Sequence, residues 1–267
     1  MTGGLILGVT ACLSVIMMLA WALQRRLRNA GWVDVTWTFG LGLAGIAYAL
    51  APRPGGGAVG ARQVLVAVLA AAWAVRLGGY ILRRTLRGGE DARYAQFRKD
   101  WGPRYEPRMF WFLQIQAAAA AVLALSMLLA ARNPAPLGLG DLAGLAVFGI
   151  AIAGAHVADM QLFRFRQVAA NRGRICDVGL WRLSRHPNYF FEWLGWLAYP
   201  LIAIGAGHAA GWLALSGPAL MYVLLVHVSG IPPLEAQMLR SRGEAYRAYQ
   251  ARTRAFLPLP LARPRTP

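Results

Sequence analysis

The sequence predicts an all-α integral membrane protein, built as a bundle of seven transmembrane helices with long cytosolic loops. Hydrophobic residues make up 57% of the 267-residue chain. Apolar runs recur at about the 20-residue length that lets a helix cross the hydrocarbon core of a bilayer. Basic residues are concentrated in alternate connections between these runs. Together these observations exclude an ordinary soluble domain.

Each apolar run is interpreted as one membrane span, because charged residues interrupt the chain mainly between the runs. We expect residues 1–257 to form a single domain and the proline-rich residues 258–267 to form an extended tail. The predicted spans are 3–24, 31–51, 64–82, 109–131, 138–160, 189–207 and 210–231.

The distribution of basic residues predicts the orientation of the chain. With the N-terminus outside, 24 of the 28 basic residues fall in the inner connections and only three in the outer loops. Cytoplasmic loops of membrane proteins carry such an excess of arginine and lysine. The sequence therefore predicts an outer N-terminus and a cytosolic C-terminus. Since topology accounts for the net charge of +17, we expect no nucleic-acid partner.

The cysteines and histidines predict neither a disulfide framework nor a metal site. Cys12 falls in a predicted span and Cys176 in a predicted cytosolic loop. His156, His186 and His227 form no pair at the spacing that metal sites use. A glycine-rich dinucleotide fingerprint following a strand is also missing from the sequence. Any dinucleotide would therefore be held by a different kind of site.

Four charged residues lie within predicted spans in the half nearer the cytosol. They are Asp34, Arg76, Asp159 and Glu192. Charged groups inside a bilayer are costly, and they are usually paired or functional. One interpretation is interhelical ion pairing, for example between Asp34 and Arg76. The other is a polar cavity that opens to the cytosol.

Helical spacing predicts a pocket with aromatic walls near these charges. Asp34 and Trp37 are three residues apart and share a helix face. Trp73, Arg76 and Tyr80 share a second face at spacings of three and four. Such a set of side chains can polarise a carbonyl group and stack against a planar ring.

Three polar segments between or after the spans can bind an anionic ligand. Residues 83–94 combine cations, a glycine pair and hydroxyl groups, and can hold a pyrophosphate or a ribose. Residues 174–189 place arginines, an Asp, a His and an Asn at the membrane surface, which indicates a phosphate-bearing cofactor. Glu235 can bind a ribose hydroxyl, and Tyr246 and Tyr249 can stack on a ring. Binding of anionic lipid is the alternative for basic loops.

Residues 179–193, which read Gly-Leu-Trp-Arg-Leu-Ser-Arg-His-Pro-Asn-Tyr-Phe-Phe-Glu-Trp, carry a family resemblance. The segment resembles the C-terminal signature of the steroid 5α-reductase superfamily, in its bacterial branch. The resemblance covers residues 30–258 and is strongest over 155–196. It implies a monomeric seven-helix reductase of the bacterial inner membrane that uses NADPH.

By position, the resemblance implies cofactor contacts from two regions of the chain. Arginines suit this role because they bind phosphate oxygens in a bidentate, charge-assisted manner. The first region supplies Asp91, Arg93 and Tyr94. The second supplies Asp159, Arg166, Arg174, Asn188 and Glu192. Beside these we expect cofactor contacts from further polar and aromatic residues of the signature and of the segment after the last span, namely Trp181, Ser184, Arg185, His186, Tyr189, Glu235, Tyr246 and Tyr249.

The implied reaction is hydride transfer to the C=C bond of an α,β-unsaturated ketone, such as a 3-oxo-Δ4-steroid. Negative charge then develops on the ketone oxygen and needs a hydrogen-bond donor. Asp34, in its protonated form, and Tyr80 are the candidate catalytic residues, with Trp37, Trp73 and Arg76 binding the substrate. Steroids, isoprenoid enones and unsaturated lipids all remain possible substrates.

Two other functions fit parts of the sequence. Membrane methyltransferases that use S-adenosylmethionine also carry an Arg-His-Pro-x-Tyr motif, matched here by residues 185–189, with Glu235 and residues 243–249 following. Phe191 and Glu192 stand where those enzymes usually have glycine and an apolar residue, which favours the reductase. The third interpretation is a lipid- or sterol-binding membrane protein without a cofactor.

Overall fold

The computed structural model describes residues 2–53, 56–88 and 90–260. Within these ranges the chain is helical, and the only extended pairing is an isolated bridge between Ser184 and Arg254. The all-α prediction is therefore confirmed for the described residues. The α-helices are α1 (Thr2–Leu27), α2 (Gly31–Leu50), α3 (Ala61–Arg87), α4 (Ala92–Trp101), α5 (Tyr105–Arg132), α6 (Leu139–Gln167), α7 (Leu180–Leu183), α8 (Pro187–Trp196), α9 (Ala198–Ala203), α10 (Ser216–Val223) and α11 (Ile231–Arg252).

Among the described residues, six helical segments are long and apolar enough to cross a membrane, which makes this a multi-pass membrane protein. They match six of the seven predicted spans to within one residue at each overrun end. The predicted span 189–207 instead lies in α8 and α9, which have only 10 and 6 residues and meet at a turn at Leu197. Pro200 contributes to this break, because it has no N–H to donate to the carbonyl of Trp196. The count of seven therefore stays a prediction.

The described chain divides into two compact units. Unit 1 contains Met1–Leu145 and Leu197–Leu220, and unit 2 contains Ala146–Trp196 and Met221–Pro267. The prediction of a single domain over residues 1–257 stays a prediction. Of the predicted tail, residues 261–267 lie outside the described residues.

In unit 1, α2 packs against α1, α3 and α5. Glycines allow this close approach, since a Cβ at Gly42 would overlap Ala74 of α3 and one at Gly45 would overlap the sulfur of Met127 on α5. Helices in membranes commonly use small residues in this way, because bilayer lipid provides little hydrophobic force to bring helices together. Asp34 therefore lies on a closely packed helix.

A buried ion pair between Arg62 and Asp141 joins α3 to α6 in unit 1. Arg62 Nε donates to Asp141 Oδ1 at 2.7 Å and Nη2 donates to Oδ2 at 2.6 Å. The same guanidinium donates to the carbonyl oxygens of Asn133 and Pro136, each at 2.8 Å. Only 5% of the Arg62 side chain is exposed. The sequence placed Arg62 in an outer loop, whereas it lies inside α3 and is buried.

Unit 2 is held together by aromatic packing and by direct helix contacts. Trp193, Tyr222 and Phe256 form a cluster with ring centroids 5.6–6.2 Å apart. Gly154 of α6 accommodates the ring of Phe191, which a Cβ at that position would overlap. This core supports the segment 179–193 that carries the family signature.

Candidate functional site

The first group of predicted site residues is a cluster in unit 1, called here the Asp34 cluster and defined by Asp34, Arg84, Asp91, Arg93 and Tyr94. Tyr94 Oη donates to Asp34 Oδ1 at 2.7 Å, and Arg93 Nη2 donates to Asp34 Oδ2 at 2.6 Å. Arg93 Nε also donates to Asp91 Oδ1 at 3.0 Å, and Arg84 Nη2 donates to Asp91 Oδ2 at 3.0 Å. All three predicted residues of the first region are thus joined to Asp34, Arg93 and Tyr94 directly and Asp91 through Arg93.

Hydrogen bonds occupy both carboxylates of the Asp34 cluster. Both oxygens of Asp34 accept from strong donors, one from Tyr94 and one from Arg93. Burial alone would raise the pKa of Asp91, but the charge and hydrogen bonds of Arg93, aided by Arg84, lower it below its usual range. Asp91 also caps α4 by accepting from the backbone N–H of Arg93. The cluster is therefore an ion-pair network in this structure.

The predicted aromatic pocket is a packed contact in unit 1. The rings of Trp37 and Trp73 meet edge to face with centroids 6.5 Å apart. Trp37 Nε1 donates to the carbonyl oxygen of Gln116 at 3.1 Å, and Trp73 is 4% exposed. Arg76 and Tyr80 follow on α3 and are half-buried. The two tryptophans are thus brought together by the fold, as their helix positions predict.

The second group of predicted site residues forms a network around Glu235 in unit 2, called here the Glu235 network and defined by Arg185, His186, Glu235, Tyr246 and Gln250. Arg185 Nε and Nη2 donate to Glu235 Oε1 and Oε2 at 2.7 and 3.1 Å. Gln250 Nε2 donates to Oε2 at 2.8 Å. His186 Nε2 lies 3.0 Å from Oε1, and the Tyr246 hydroxyl also interacts with this carboxylate.

In this conformation the Arg185 side chain binds other parts of the protein. Its Nη1 donates to the carbonyl oxygens of Gln250 and Thr253, so four of its five N–H groups bind the protein. Its backbone N–H donates to the carbonyl of Arg254 at 2.8 Å. Only 10% of its side chain is exposed. Arg185 therefore joins the signature segment to the C-terminal end of α11.

Neighbouring signature residues strengthen the same connection. Ser184 is fully buried, and its hydroxyl donates to the carbonyl oxygen of Phe256 at 2.8 Å. Tyr249 donates to the carbonyl oxygen of Trp181. Trp181 Nε1 in turn donates to the carbonyl oxygen of Ala158 at 2.9 Å. The polar side-chain atoms of these predicted cofactor residues are thus bound to other protein groups, and the residues hold the signature segment in place.

His186 is held as a neutral imidazole. Burial lowers its pKa below the ordinary value, and this outweighs the hydrogen bond to Glu235, which acts in the opposite direction. Because its partner is a carboxylate, Nε2 carries the proton and Nδ1 has a free lone pair. The ring also stacks on Tyr189, with centroids 5.6 Å apart and planes 13° from parallel.

We expect His186 to make the stability of the protein depend on pH. Its pKa in the folded state lies below the unfolded value of 6.5, so below about pH 6.5 the unfolded chain binds a proton that the folded chain does not. The free energy of unfolding should therefore fall as pH drops from 7.5 to 5.5. Thermal unfolding should show a weaker dependence in His186→Gln. The exposed His156→Gln control should keep the wild-type slope, and an unchanged slope in His186→Gln would contradict this account.

A third set of predicted residues lies on α6 and α8. Asn188 Nδ2 donates to Asp159 Oδ1 at 3.3 Å, and Asp159 is 6% exposed. Glu192 is half-buried and lies one turn after Asn188 on α8. The spacing of four residues predicts this shared face.

Several arginines of unit 2 are exposed and lie near the signature segment in sequence. Arg166 and Arg174, both predicted cofactor contacts, have no hydrogen bond or ion pair to any residue that the structure describes. The same holds for three arginines that the sequence analysis did not select, namely Arg164, Arg172 and Arg182. The sequence does not show that these three side chains are exposed. The high density of arginines around the signature segment could nevertheless have identified them as candidates. These side chains are available to bind an anion.

Comparison with known proteins gives a family match over most of the chain. The family described as a protein of unknown function, DUF1295, matches residues 20–253. An uncharacterized protein of Schizosaccharomyces pombe is 26% identical over 276 aligned positions, which cover 89% of this chain and 75% of that protein. No solved structure matches the chain at a significant level.

Proposed function

Because this chain belongs to the DUF1295 family, which is steroid 5α-reductase-like, we propose that it is an NADPH-dependent membrane reductase. Its substrate class is a hydrophobic α,β-unsaturated ketone, such as a 3-oxo-Δ4-steroid or an isoprenoid enone. The proposal rests mainly on one observation in unit 2. A rigid polar network fixes the signature segment, while Arg166 and Arg174 remain exposed, with no hydrogen bond or ion pair to any described residue.

The residues of unit 2 fit a dinucleotide phosphate. Two or more free guanidiniums match the charge and the planar geometry of phosphate oxygens. Arg185 and Glu235 neutralise each other and keep the segment in place without adding charge to the site. NADPH, when bound, would supply the hydride. In our proposal Arg166 and Arg174 hold its phosphates, and Asn188 and Glu192 offer groups for its amide and hydroxyls.

In unit 1 we assign Tyr80 as the hydrogen-bond donor to the ketone oxygen. A phenol can donate a proton without first acquiring one, whereas Asp34 accepts from Arg93 and Tyr94. Asp34 then acts as a positioning residue that holds Tyr94 and the start of α4. The half-buried Trp37 supplies flat apolar surface for a ring system, and Trp73 packs edge to face against it.

We further propose a seven-pass topology in the bacterial inner membrane, with an outer N-terminus and a monomeric chain among membrane lipids. In this topology α8 and α9 together form the span that neither forms alone. The concentration of 24 basic residues in the inner connections supports it. An odd number of passes is needed to place the two termini on opposite sides.

The phosphate role is tested with the variant Arg166→Gln/Arg174→Gln. Each lost charge-assisted hydrogen bond should weaken binding about tenfold, so the dissociation constant for NADPH should rise about 100-fold. Thermal-shift titration of the detergent-purified protein measures it, because a ligand of the folded state raises the melting temperature. Arg242→Gln, which removes an exposed arginine of α11, is the matched control. It should bind NADPH like the wild type.

Parallel titrations with NADH and S-adenosylmethionine separate the alternatives. Stabilisation by NADPH that the double variant loses supports the reductase. Stabilisation by S-adenosylmethionine alone would overturn it and make the protein a methyltransferase with the Glu235 network at the methyl-donor site. Stabilisation by neither cofactor, together with saturable sterol binding, would favour a lipid-binding protein.

A further inference from the structure

A cavity of about 440 Å³ lies in unit 1, apart from every residue assigned above. Its wall is formed by the ends of α1, α4 and α5 and by the turn after α1. Three guanidinium groups and one carboxylate line it, alongside one amide. The lining residues are Gln24, Arg25, Arg28, Arg98 and Glu106.

The carboxylate does not neutralise the cavity. Glu106 Oε2 accepts from Gln24 Nε2 at 3.1 Å and lies 3.5 Å from Arg25 Nε. Arg98 Nη2 donates to Glu90 at 2.9 Å, using one of its five N–H groups. Arg28 has no hydrogen bond or ion pair to any described residue. An excess of positive charge therefore remains in the wall, and an anion would balance it.

The side-chain oxygen of Gln24 needs a hydrogen-bond donor. The residue is fully buried, and its Oε1 has no hydrogen-bond partner in the part of the chain that the structure describes. The amide orientation is fixed, because the reverse orientation would place Oε1 against the Glu106 carboxylate. A buried acceptor without a partner is unfavourable. A ligand that carries both anionic oxygens and a hydroxyl would satisfy this amide and the arginines together.

Arg28 has an unusual backbone conformation for its residue type. Its φ is +51°, and it is the only described residue other than glycine with a positive φ. This position just after a helix is typically occupied by glycine or asparagine, since other side chains are strained there. Strained residues are often retained at ligand sites. The strain is explained if the Arg28 guanidinium binds a ligand in the cavity.

We propose that this cavity binds a phosphate ester that also carries a hydroxyl group. Arg28 and Arg98 bind the phosphate oxygens, and the hydroxyl donates to Gln24 Oε1. Phosphatidylglycerol of the membrane and soluble glycerol 3-phosphate share this chemistry. Because α1 exposes large apolar side chains such as Leu7 and Leu19, an acyl chain could lie along the same helix.

The test uses full-length protein purified in phosphate-free detergent at constant ionic strength. The variants are Arg28→Gly and the control Arg26→Gln, which removes an exposed arginine outside the cavity. Glycine relieves the strained φ, so unliganded Arg28→Gly should melt no lower than the wild type. A weaker response in this variant then cannot come from misfolding. Thermal shifts are measured with glycerol 3-phosphate, and in nanodiscs of phosphatidylglycerol or phosphatidylcholine.

We expect wild type and Arg26→Gln to be stabilised alike, and Arg28→Gly to bind at least about tenfold more weakly. A saturable response to glycerol 3-phosphate assigns the site to a soluble ester. A response confined to phosphatidylglycerol nanodiscs assigns it to the lipid. Equal responses of all three proteins in both arms, or no response of the wild type, would overturn the proposal.

Discussion

The variant Glu235→Ala is expected to lose about 3–5 kcal/mol of folding free energy, because it leaves the buried Arg185 guanidinium without its counter-charge. His186 and Gln250 lose an acceptor in the same step. For a domain of this size the loss corresponds to a melting temperature roughly 10 °C lower. Thermal unfolding followed by tryptophan fluorescence measures it. Binding of NADPH should weaken as well, since the signature segment loses its attachment to α11.

Glu244→Gln provides the matched control on the same helix. Its side chain is 88% exposed and pairs with Arg247 at 3.5 Å. Exposed pairs of this kind contribute at most about 1 kcal/mol. A Glu235→Ala variant that melts like Glu244→Gln would show that the Glu235 network does not hold the signature segment.

The variant Asp141→Asn should be similarly destabilising, by about 3–5 kcal/mol, because Arg62 would keep a buried and uncompensated charge. The carbonyl partners of Arg62 cannot supply that charge. Arg62→Leu/Asp141→Leu should recover part of the loss, since apolar residues can replace a buried ion pair at little cost. Thermal unfolding of the three proteins gives the comparison.

The surface pair of Arg252 and Asp177 serves as the control for the second prediction. Its side chains are 60% and 43% exposed although the nitrogen–oxygen distance is also 2.6 Å. Asp177→Asn should therefore change stability by less than about 1 kcal/mol. Equal effects of Asp141→Asn and Asp177→Asn would contradict the role given to burial.

Apolar length and charge asymmetry predicted most of the helices, since each depends on local composition alone. Local composition did not predict two features of the structure. Arg62 looked like a loop cation, but its partner Asp141 lies 79 positions away. The span over 189–207 has suitable hydropathy, but the turn at Leu197 and Pro200 divides it into two short helices.

The sequence predicted candidate site residues but not which of them contact one another. The signature identified Arg185 and His186, and a separate pattern identified Glu235. Nothing local indicates that these three bind one another across about 50 positions. The sequence also did not predict that Arg93 pairs with Asp34, because α4 has no apolar pattern that would indicate which neighbours it packs against. Pairings of this kind follow from tertiary packing, which a single sequence does not contain.

Isotope transfer shows whether this chain moves hydride from NADPH to a hydrophobic enone. The purified protein, in detergent and lipid, is incubated with progesterone or an isoprenoid enone and NADPH that carries deuterium at both C4 positions. We expect a saturated ketone with one deuterium on the former β-carbon, formed in proportion to the NADPH consumed. Intact enones beside unconsumed NADPH, with S-adenosylmethionine as the only cofactor that binds, would rule out the proposed reductase.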